Sequence, residues 1–323
     1  MTTTASRSVR IEGVATLLSS LSHGGEHAGT TSFLRREKIL GADGAPRDVP
    51  IVSGNAVRGL LRDHAAEVFW TALGRPELPP QVFHLLWSGG SLSKAGASHT
   101  IGARQLQEVR RLVPLVSLFG GSGASKIIEG KLRVGKMTPV CGETAHLLPP
   151  DLPAGQVRSI WELLQIEEFT RRDDSKRDQF HVAITGLAPR AVDSAPEAGA
   201  LLAVAEHKPA TEDSEDPAQQ MRYGVETLAA GTRLHWWMAL RQVTDVEASL
   251  FAAAMESWSA AGAAIGGRSA TGHGRLRLDV HQWRHAAPTL TIGQALAVSG
   301  PSDLDAHVAA HRAAILDALG WFA

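Results

Sequence analysis

The chain has 323 residues, of which 44% are hydrophobic, and a formal net charge of −1. This charge provides no general attraction to nucleic acid, although a local basic stripe would still bind phosphates. Cys141 is the only cysteine, which excludes an intramolecular disulfide and a cysteine zinc cluster. No apolar run approaches the roughly 18 residues that cross a bilayer, and the N-terminal residues lack a signal-peptide core. We therefore expect a cytoplasmic protein with no membrane partner.

The chain opens with a predicted strand over Ser8–Leu18, where apolar and polar residues alternate. Ser19–Ser32 contains three glycines and is predicted to be a flexible loop. Phe33–Val52 reads as a hairpin around the turn residues Gly41–Arg47. The hairpin leads directly into the segment on which the chain is centred.

That central segment, Val49–Trp70, changes from an apolar strand to an amphipathic helix. Residue types typical of turns and N-caps separate the two: Ser53, Gly54 and Asn55. Arg58 and Arg62 are four residues apart, so they share one helix face. Backbone amides at a helix start favour an anion, and two arginines would extend such a site. The same pattern also fits a buried strand-to-helix junction with two solvated arginines.

Helices are predicted for Val82–Trp87 and Arg104–Leu112, and a strand for Lys126–Val140. Residues 91–140 carry eight basic residues against two acidic ones, Glu108 and Glu129, which is the strongest charge bias in the chain. The basic residues are Lys94, Arg104, Arg110, Arg111, Lys126, Lys131, Arg133 and Lys136.

The second half begins with a short predicted helix within Leu152–Glu168, a charged exposed segment at Phe169–Gln179 and a surface insertion at 191–219. Two strands, a helix, a glycine-rich loop running into a last strand and a final helix follow, at Met221–Glu226, Thr232–Leu240, Asp245–Ala264, Gly266–Leu278 and Ser302–Leu319. This layout predicts an α+β fold with a ferredoxin-like β-α-β-β-α-β core that carries insertions.

Four motifs in register carry a resemblance to a known family. They are P-I-V-S-G-N-A-V-R-G-L-L-R at Pro50–Arg62, S-L-F-G-G at Ser117–Gly121, V-E-T-L-A-A-G-T-R-L-H-W-W-M-A-L at Val225–Leu240 and I-G-G-R-S-A-T-G-H-G-R-L-R-L at Ile265–Leu278. Together they resemble the RAMP superfamily of CRISPR-associated proteins. More narrowly, the chain is similar over about 8–280 to the seventh Cas family, the crRNA-binding backbone subunit of class 1 effector complexes. The wording S-G-N-A-V-R-G is most like the type IV branch.

The resemblance implies a single RAMP-type domain over 1–323 with an RRM/ferredoxin-like palm, helical fingers and a thumb hairpin. The palm would be built from about 8–62, 117–140 and 225–280. The fingers would span about 63–116, the thumb about 165–224 and the C-terminal helix about 302–319.

The resemblance also implies that many copies line up head to tail along one guide crRNA as a helical filament. Such contacts between copies do not close into a ring. The resulting antiviral ribonucleoprotein would pair the guide with a target DNA or RNA. Its other partners would be further CRISPR effector subunits.

RNA backbones require positive charge and hydrogen-bond donors, and unstacking a base requires an apolar or aromatic wedge. Candidate phosphate contacts are Arg58, Arg62, Lys126, Arg133 and Arg268, with Arg171 and Arg172 in the charged thumb segment. Candidate backbone or hydroxyl contacts are Ser53, Gly54, Asn55, Gly266, Gly267, Gly272 and Gly274, and candidate wedges are Met221 and Tyr223. Met221 equally fits a core position, and the glycine-rich segment equally fits an ordinary turn. We expect alanine at Arg58 and Arg62 to weaken RNA binding without disturbing the fold.

RNA-cleaving type III relatives use an aspartate in the loop before the central motif, and the corresponding Ser22–Thr31 contains none. Glu26 and His27 are the nearest candidates for acid-base work. We therefore expect no catalysis by this chain, no cofactor and no metal site. The pairs His281/His285 and His307/His311 are four residues apart, but neither contains the glutamate of the zincin sequence H-E-x-x-H. Two alternatives stay open: a RAMP ribonuclease that cleaves target or precursor RNA, and a filament-forming binder of non-specific cellular RNA.

Overall fold

A computed structural model describes residues 6–90, 101–123, 125–150, 152, 157–171, 221–281 and 302–323. The chain divides into a larger unit, Met1–Glu26, Phe33–Gln165 and Glu226–Ala323, and a smaller unit, His27–Ser32 and Ile166–Val225. Helices and mainly antiparallel strands are mixed along the chain, as expected of an α+β protein.

The strands of the described residues are β1 (Arg7–Leu17), β2 (Gly24–Ala28), β3 (Thr31–Leu34), β4 (Arg36–Leu40), β5 (Pro46–Pro50), β6 (Gly121–Gly123), β7 (Lys126–Ile128), β8 (Leu132–Val134), β9 (Thr138–Pro139), β10 (Leu164–Arg171), β11 (Met221–Leu228), β12 (Arg233–Val243) and β13 (Leu276–His281). The α-helices are α1 (Gly54–Ala72), α2 (Pro80–Trp87), α3 (Ala103–Leu112), α4 (Pro114–Phe119), α5 (Ile160–Leu163), α6 (Asp245–Ala260) and α7 (Ser302–Gly320). Short 3₁₀ turns lie at Ala145–Leu147 and Ser269–Thr271.

The main sheet has the strand order β13-β1-β12-β8, and β9 also pairs with β12. All of these pairings are antiparallel, with Ile11 opposite Met238 and Ala15 opposite Leu278. The chain crosses the sheet in the order strand, helix, strand, strand, helix, strand, where the two helices are α1 and α6. Helices α1 and α6 therefore both lie in connections between strands of this one sheet.

The core follows from the two-residue period of β1 and β12 and the helical period of α1. Ile11, Ala15, Trp236 and Met238 are buried in the main core, whereas Val14 belongs to a separate small cluster with Val140 and Leu152. The buried face of α1 consists of Val57, Leu61, Ala65, Ala66 and Phe69. It packs against α6, and α1 also contacts β8 of the sheet and helices α2 and α4.

Two predictions for the strands were wrong. Ser19–Ser32 is not a plain loop, because it contains β2 and the start of β3. Lys126–Val140 is not one strand but three short ones, β7, β8 and β9. The alternation of apolar residues indicated extended backbone, but it could not show where the chain changes its pairing partner.

The smaller unit is held together by strand pairing and aromatic stacking. Gly224 and Val225 pair in parallel with Thr31 and Ser32. The rings of Phe169 and Tyr223 stack with their centroids 5.4 Å apart. Most of the predicted thumb, 172–220, lies outside the described residues, as do the predicted insertion at 191–219 and residues 91–100 of the predicted fingers.

None of the helices within the described residues is long and apolar enough to cross a bilayer.

Two glycines of the loop before β13 allow a matched test of its packing. Gly274 has φ +73°, and a Cβ there would lie 1.8 Å from the Ile265 carbonyl oxygen. Gly272 has φ +90°, but a Cβ there would meet nothing within 4 Å. We expect Gly272→Ala to lower the free energy of unfolding by about 1–2 kcal/mol, the cost of left-handed backbone for a non-glycine residue. Gly274→Ala should cost about 1–3 kcal/mol more because of the clash.

Urea denaturation of the full-length chain, freed of nucleic acid, measures both changes. Equal losses for the two variants would contradict the packing of this loop.

Candidate nucleic-acid interface

A groove lies at the start of α1, where the β4 strand, the turn before the helix and the end of β8 meet. We call it the α1 groove, and its volume is about 380 Å³. It is lined by Arg35, Arg36, Glu37, Ile51, Ser53, Gly54, Asn55, Val134 and Lys136. Three of the residues that the sequence assigned to RNA, Ser53, Gly54 and Asn55, are therefore brought together here.

The groove carries three cationic side chains and one carboxylate. Glu37 pairs with Lys136, and Arg36 pairs with the buried Glu226. The Arg35 side chain is exposed and has no hydrogen bond or ion pair with the described residues. An anion in the groove would therefore meet an unneutralised guanidinium beside the helix start.

The start of α1 is capped within the chain. Ser53 Oγ accepts a hydrogen bond from the Ala56 N–H at 3.2 Å, and the Ser53 N–H donates to His23 Nε2 at 3.3 Å. Burial lowers the pKa of His23, and the Arg35 charge lowers it further. His23 is thus kept neutral, as an imidazole nitrogen that accepts this bond must be. The Asn55 side chain is exposed and forms no hydrogen bond with the described residues.

Gly54 allows a close approach between α1 and β8. A Cβ at this position would lie 2.5 Å from the Val134 carbonyl oxygen. Only glycine fits such a contact without moving the backbone. Packing within the chain is therefore sufficient reason for the glycine of the S-G-N sequence, whether or not RNA also approaches it.

The side chains of Arg58 and Arg62 are half-buried and are not fully solvated, as they would be on an isolated helix. Arg58 Nη2 donates to the Phe119 carbonyl at 2.5 Å, and Arg62 Nη2 donates to the Gly120 carbonyl. The Arg62 guanidinium also lies 5.7 Å from the centroid of the Phe119 ring. The two arginines therefore join the first motif to the S-L-F-G-G motif.

The charges of these arginines are only partly balanced, since Asp63 is the one carboxylate that acts on Arg62 among the described residues. Burial lowers the pKa of Arg62 to about 10, with a further contribution from the Arg58 charge. Burial also lowers the pKa of Arg58, and the Arg133 charge adds to that effect. Arg62 Nε is buried without a hydrogen-bond partner among the described residues. This part of the molecule has a positive potential that a bound anion would relieve.

The other predicted phosphate contacts are dispersed. Lys126 is exposed in the β6–β7 hairpin beside Ile127, whose side chain is also exposed. Arg133 pairs with Glu129 and donates to the Gly130 carbonyl at 3.3 Å. Neither side chain lines the α1 groove.

The glycine-rich loop after α6 packs against the segment that follows β1. The Gly267 N–H donates to the Ser22 carbonyl at 2.7 Å, and the Gly274 N–H donates to the Ser20 carbonyl at 2.8 Å. Arg268 has a left-handed backbone, with φ +61°, and its side chain is half-buried. A Cβ at Gly266 would lie 2.3 Å from the Ser22 carbonyl oxygen. Internal packing therefore explains much of this loop's glycine content.

The predicted wedge and thumb residues fall at the edge of the described part of the chain. Met221 begins β11 and Arg171 ends β10, while Arg172 lies outside the described residues. Tyr223 is half-buried in the smaller unit, and its ring stacks on that of Phe169.

The two candidates for acid-base catalysis lie in β2. Glu26 and His27 are exposed, and His27 Nδ1 is 3.0 Å from Ser32 Oγ. Within the described ranges, no group of three or more histidine, cysteine, aspartate or glutamate residues is placed to hold a metal ion.

The sequence-based list missed Arg35, Arg36 and Lys136 as members of the groove. The sequence does contain a signal for them. Arg35 and Arg36 are adjacent basic residues in the predicted hairpin, and Lys136 belongs to the basic region 91–140. What was missing was the contact between the β4 strand and the end of β8, which brings these distant residues together.

No family model matches the chain, and no curated protein matches it in sequence. Among solved structures, a chain of one titled "Type IV-B CRISPR Complex" is similar, with 26% sequence identity and a TM-score of 0.55. The match covers 88% of this chain and 96% of that chain. The similarity therefore extends over most of both molecules and supports a relation to a type IV CRISPR complex subunit.

Proposed function

We propose that this protein is a non-catalytic backbone subunit of a type IV CRISPR ribonucleoprotein, which oligomerises head to tail along a crRNA. The observation that supports this proposal most directly is the α1 groove. It combines a capped helix start with the Arg35 guanidinium, which forms no ion pair with a described residue. The similarity to a chain of a Type IV-B CRISPR complex adds the biological context.

In this proposal the main sheet, with its order β13-β1-β12-β8 and helices α1 and α6, is the RRM/ferredoxin-like palm. The crRNA backbone passes the α1 groove, where Arg35 and Lys136 contact phosphates and Asn55 contacts phosphate or ribose. The guide is then presented for pairing with a target DNA or RNA. Copies of the chain and other CRISPR subunits are its protein partners.

Electrostatics favours the α1 groove over Arg58 and Arg62 as the place of direct contact with RNA. Arg58 and Arg62 already donate to carbonyls, so their role is to hold the motif and to supply positive potential. Arg35 needs no rearrangement to donate to a phosphate, since it has no partner among the described residues. Lys136 exchanges the exposed Glu37 for a phosphate at little cost, because exposed ion pairs are weak.

The first test measures RNA binding by the variant Arg35→Ala/Lys136→Ala. A single-stranded RNA of guide length should bind about 10-fold more weakly, and the plot of log K against log salt should lose roughly 0.7 of its slope per lost phosphate contact. Filter binding across a salt series measures both quantities. The matched control is Arg75→Ala/Arg104→Ala, which also removes two exposed charges.

Arg75 follows the far end of α1, which has 19 residues and is therefore about 28 Å long. The control should bind RNA as the unmodified chain does. Equal weakening by both double variants would indicate binding through general charge and would count against the groove.

A second test separates the scaffold role of Arg62 from RNA contact. Arg62→Met keeps much of the side-chain volume but removes the bond to the Gly120 carbonyl, so it should lower the free energy of unfolding by about 1.5–3 kcal/mol. This expectation replaces the sequence-based one, in which alanine at Arg58 and Arg62 leaves the fold unchanged. Urea denaturation of RNA-free protein is the measurement.

Arg62→Lys serves as the control for Arg62→Met, since it keeps the charge and one donor. An unchanged stability of Arg62→Met, together with a loss of RNA affinity, would assign Arg62 to the RNA instead of to the fold.

A third test identifies the RNA and excludes cleavage. The purified chain should show a high ratio of absorbance at 260 nm to that at 280 nm, and negative-stain images should show helical filaments that fall apart with RNase. Sequencing of the released RNA distinguishes crRNA from bulk cellular RNA when both are expressed together.

Incubation with labelled target and precursor RNA should leave both intact. Cleavage that Glu26→Gln or His27→Gln abolishes would favour the ribonuclease alternative.

A further inference from the structure

A second concave site lies on the larger unit among helices α3, α4, α6 and α7. We call it the α7 pocket, and its volume is about 540 Å³. Pockets of roughly 300–1,000 Å³ are typical of small-molecule sites. The side chains that matter for its chemistry are Arg110, Arg111, Ser117, Lys131, His307 and His311. None of these six lines the α1 groove.

The carboxylates near the α7 pocket are already engaged. Glu247 binds Lys131 Nζ with both oxygens, at 2.7 and 2.8 Å, and also accepts the Thr244 N–H at 2.7 Å. Arg111 pairs with Glu108 at 2.6 Å. Arg110 donates to the Glu129 carbonyl at 2.9 Å but has no ion pair with a described residue. The Arg110 charge also acts on the Glu129 carboxylate, but that carboxylate is already paired with Arg133. The pocket therefore retains a guanidinium charge that is only partly neutralised.

Ser117 supplies a buried hydroxyl that lacks a partner. The residue is 1% exposed, and its Oγ has no hydrogen bond with the described residues. Its backbone is satisfied, since the N–H donates to the Val113 carbonyl and its own carbonyl accepts the Lys131 N–H. An unpaired buried hydroxyl costs about 1–3 kcal/mol, so a ligand oxygen at this point would stabilise the site.

Two imidazoles complete the wall that α7 contributes. His307 and His311 are four residues apart, and their ring centroids are 5.0 Å apart. His307 Nε2 donates to the Leu112 carbonyl at 3.0 Å, which leaves Nδ1 for another partner. Burial lowers the pKa of His307, and the charges of His311 and Arg111 lower it further. An anion between these groups would relieve the repulsion.

We propose that the α7 pocket binds a phosphate group, with Arg110 as its principal cationic contact and Ser117 as a hydroxyl donor. Guanidinium, hydroxyl and imidazole donors around one site are the set that phosphate oxygens require. The phosphate belongs either to a free nucleotide or to the RNA backbone. This inference does not depend on the proposed function, because it uses none of the residues of the α1 groove.

The test is isothermal titration of the full-length, RNA-free chain with inorganic phosphate and with AMP. We expect saturable binding with a dissociation constant at or below about 1 mM, which corresponds to about −4 kcal/mol. Arg110→Ala should weaken binding about 10-fold or more, the effect of losing a charge-assisted contact. Ser117→Ala should weaken it several-fold without lowering the melting temperature.

Arg104→Ala is the matched control, because it removes an exposed arginine of the same helix that does not line the pocket. It should change the affinity less than two-fold. Should Arg110→Ala fail to fold, Ser117→Ala still tests the pocket. Absence of saturable binding by the unmodified chain would overturn the proposal, as would binding that neither pocket variant weakens.

Competition identifies the source of the phosphate. If guide-length RNA displaces AMP, and Arg110→Ala weakens RNA binding, the pocket takes an RNA phosphate. If RNA and AMP bind together, and Arg110→Ala leaves the RNA affinity unchanged, the ligand is a free nucleotide. The variant Arg35→Ala/Lys136→Ala should retain AMP binding in both cases, so that failure of the α1 groove and failure of the α7 pocket are distinguishable.

Discussion

The α1 groove depends on one constraint, the packing of two guanidinium groups against the end of α4. Arg58 and Arg62 donate to the carbonyls of Phe119 and Gly120, which α4 leaves without intrahelical partners. These bonds hold α1 beside the turn that leads into β6. The groove at the start of α1 takes its shape from that placement, because the same helix contacts β8 through Gly54.

Much of the local structure is predictable from the sequence, because it is set by short-range patterns. The period of Val57, Leu61 and Ala65 indicates the buried face of α1, and Ser53 is a typical N-cap residue that caps it as expected. The contacts that the Arg58 and Arg62 side chains make are not predictable in this way. Helical spacing shows that Arg58 and Arg62 share a face, but their partners are about 60 positions further along the chain, and no local pattern encodes that contact.

The motifs that carry the family resemblance have two physical roles, and the structure separates them. Gly54 and Gly274 are required by carbonyl oxygens of the chain itself, those of Val134 and Ile265. The side chain of Asn55 has no such internal requirement within the described residues, and neither does that of Arg35, which lies outside the motifs beside it in the groove, so a ligand is the more natural reason for their chemistry. A motif therefore contains residues required for the fold together with residues available to a ligand. Only the contacts in the structure show which residue has which role.

The near-neutral net charge is compatible with phosphate binding because of how the charges are paired. Glu129, Glu108 and Glu247 form ion pairs with Arg133, Arg111 and Lys131, whereas Arg35 and Arg110 form no ion pair with a described residue. Long-range attraction to any polyanion is thus weak, since opposite charges cancel beyond a Debye length of about 8 Å at physiological salt. Short-range attraction survives where a guanidinium is unpaired beside hydrogen-bond donors. Such a distribution favours ligands that fit these positions over nucleic acid in general, which is the discrimination that the proposed function requires.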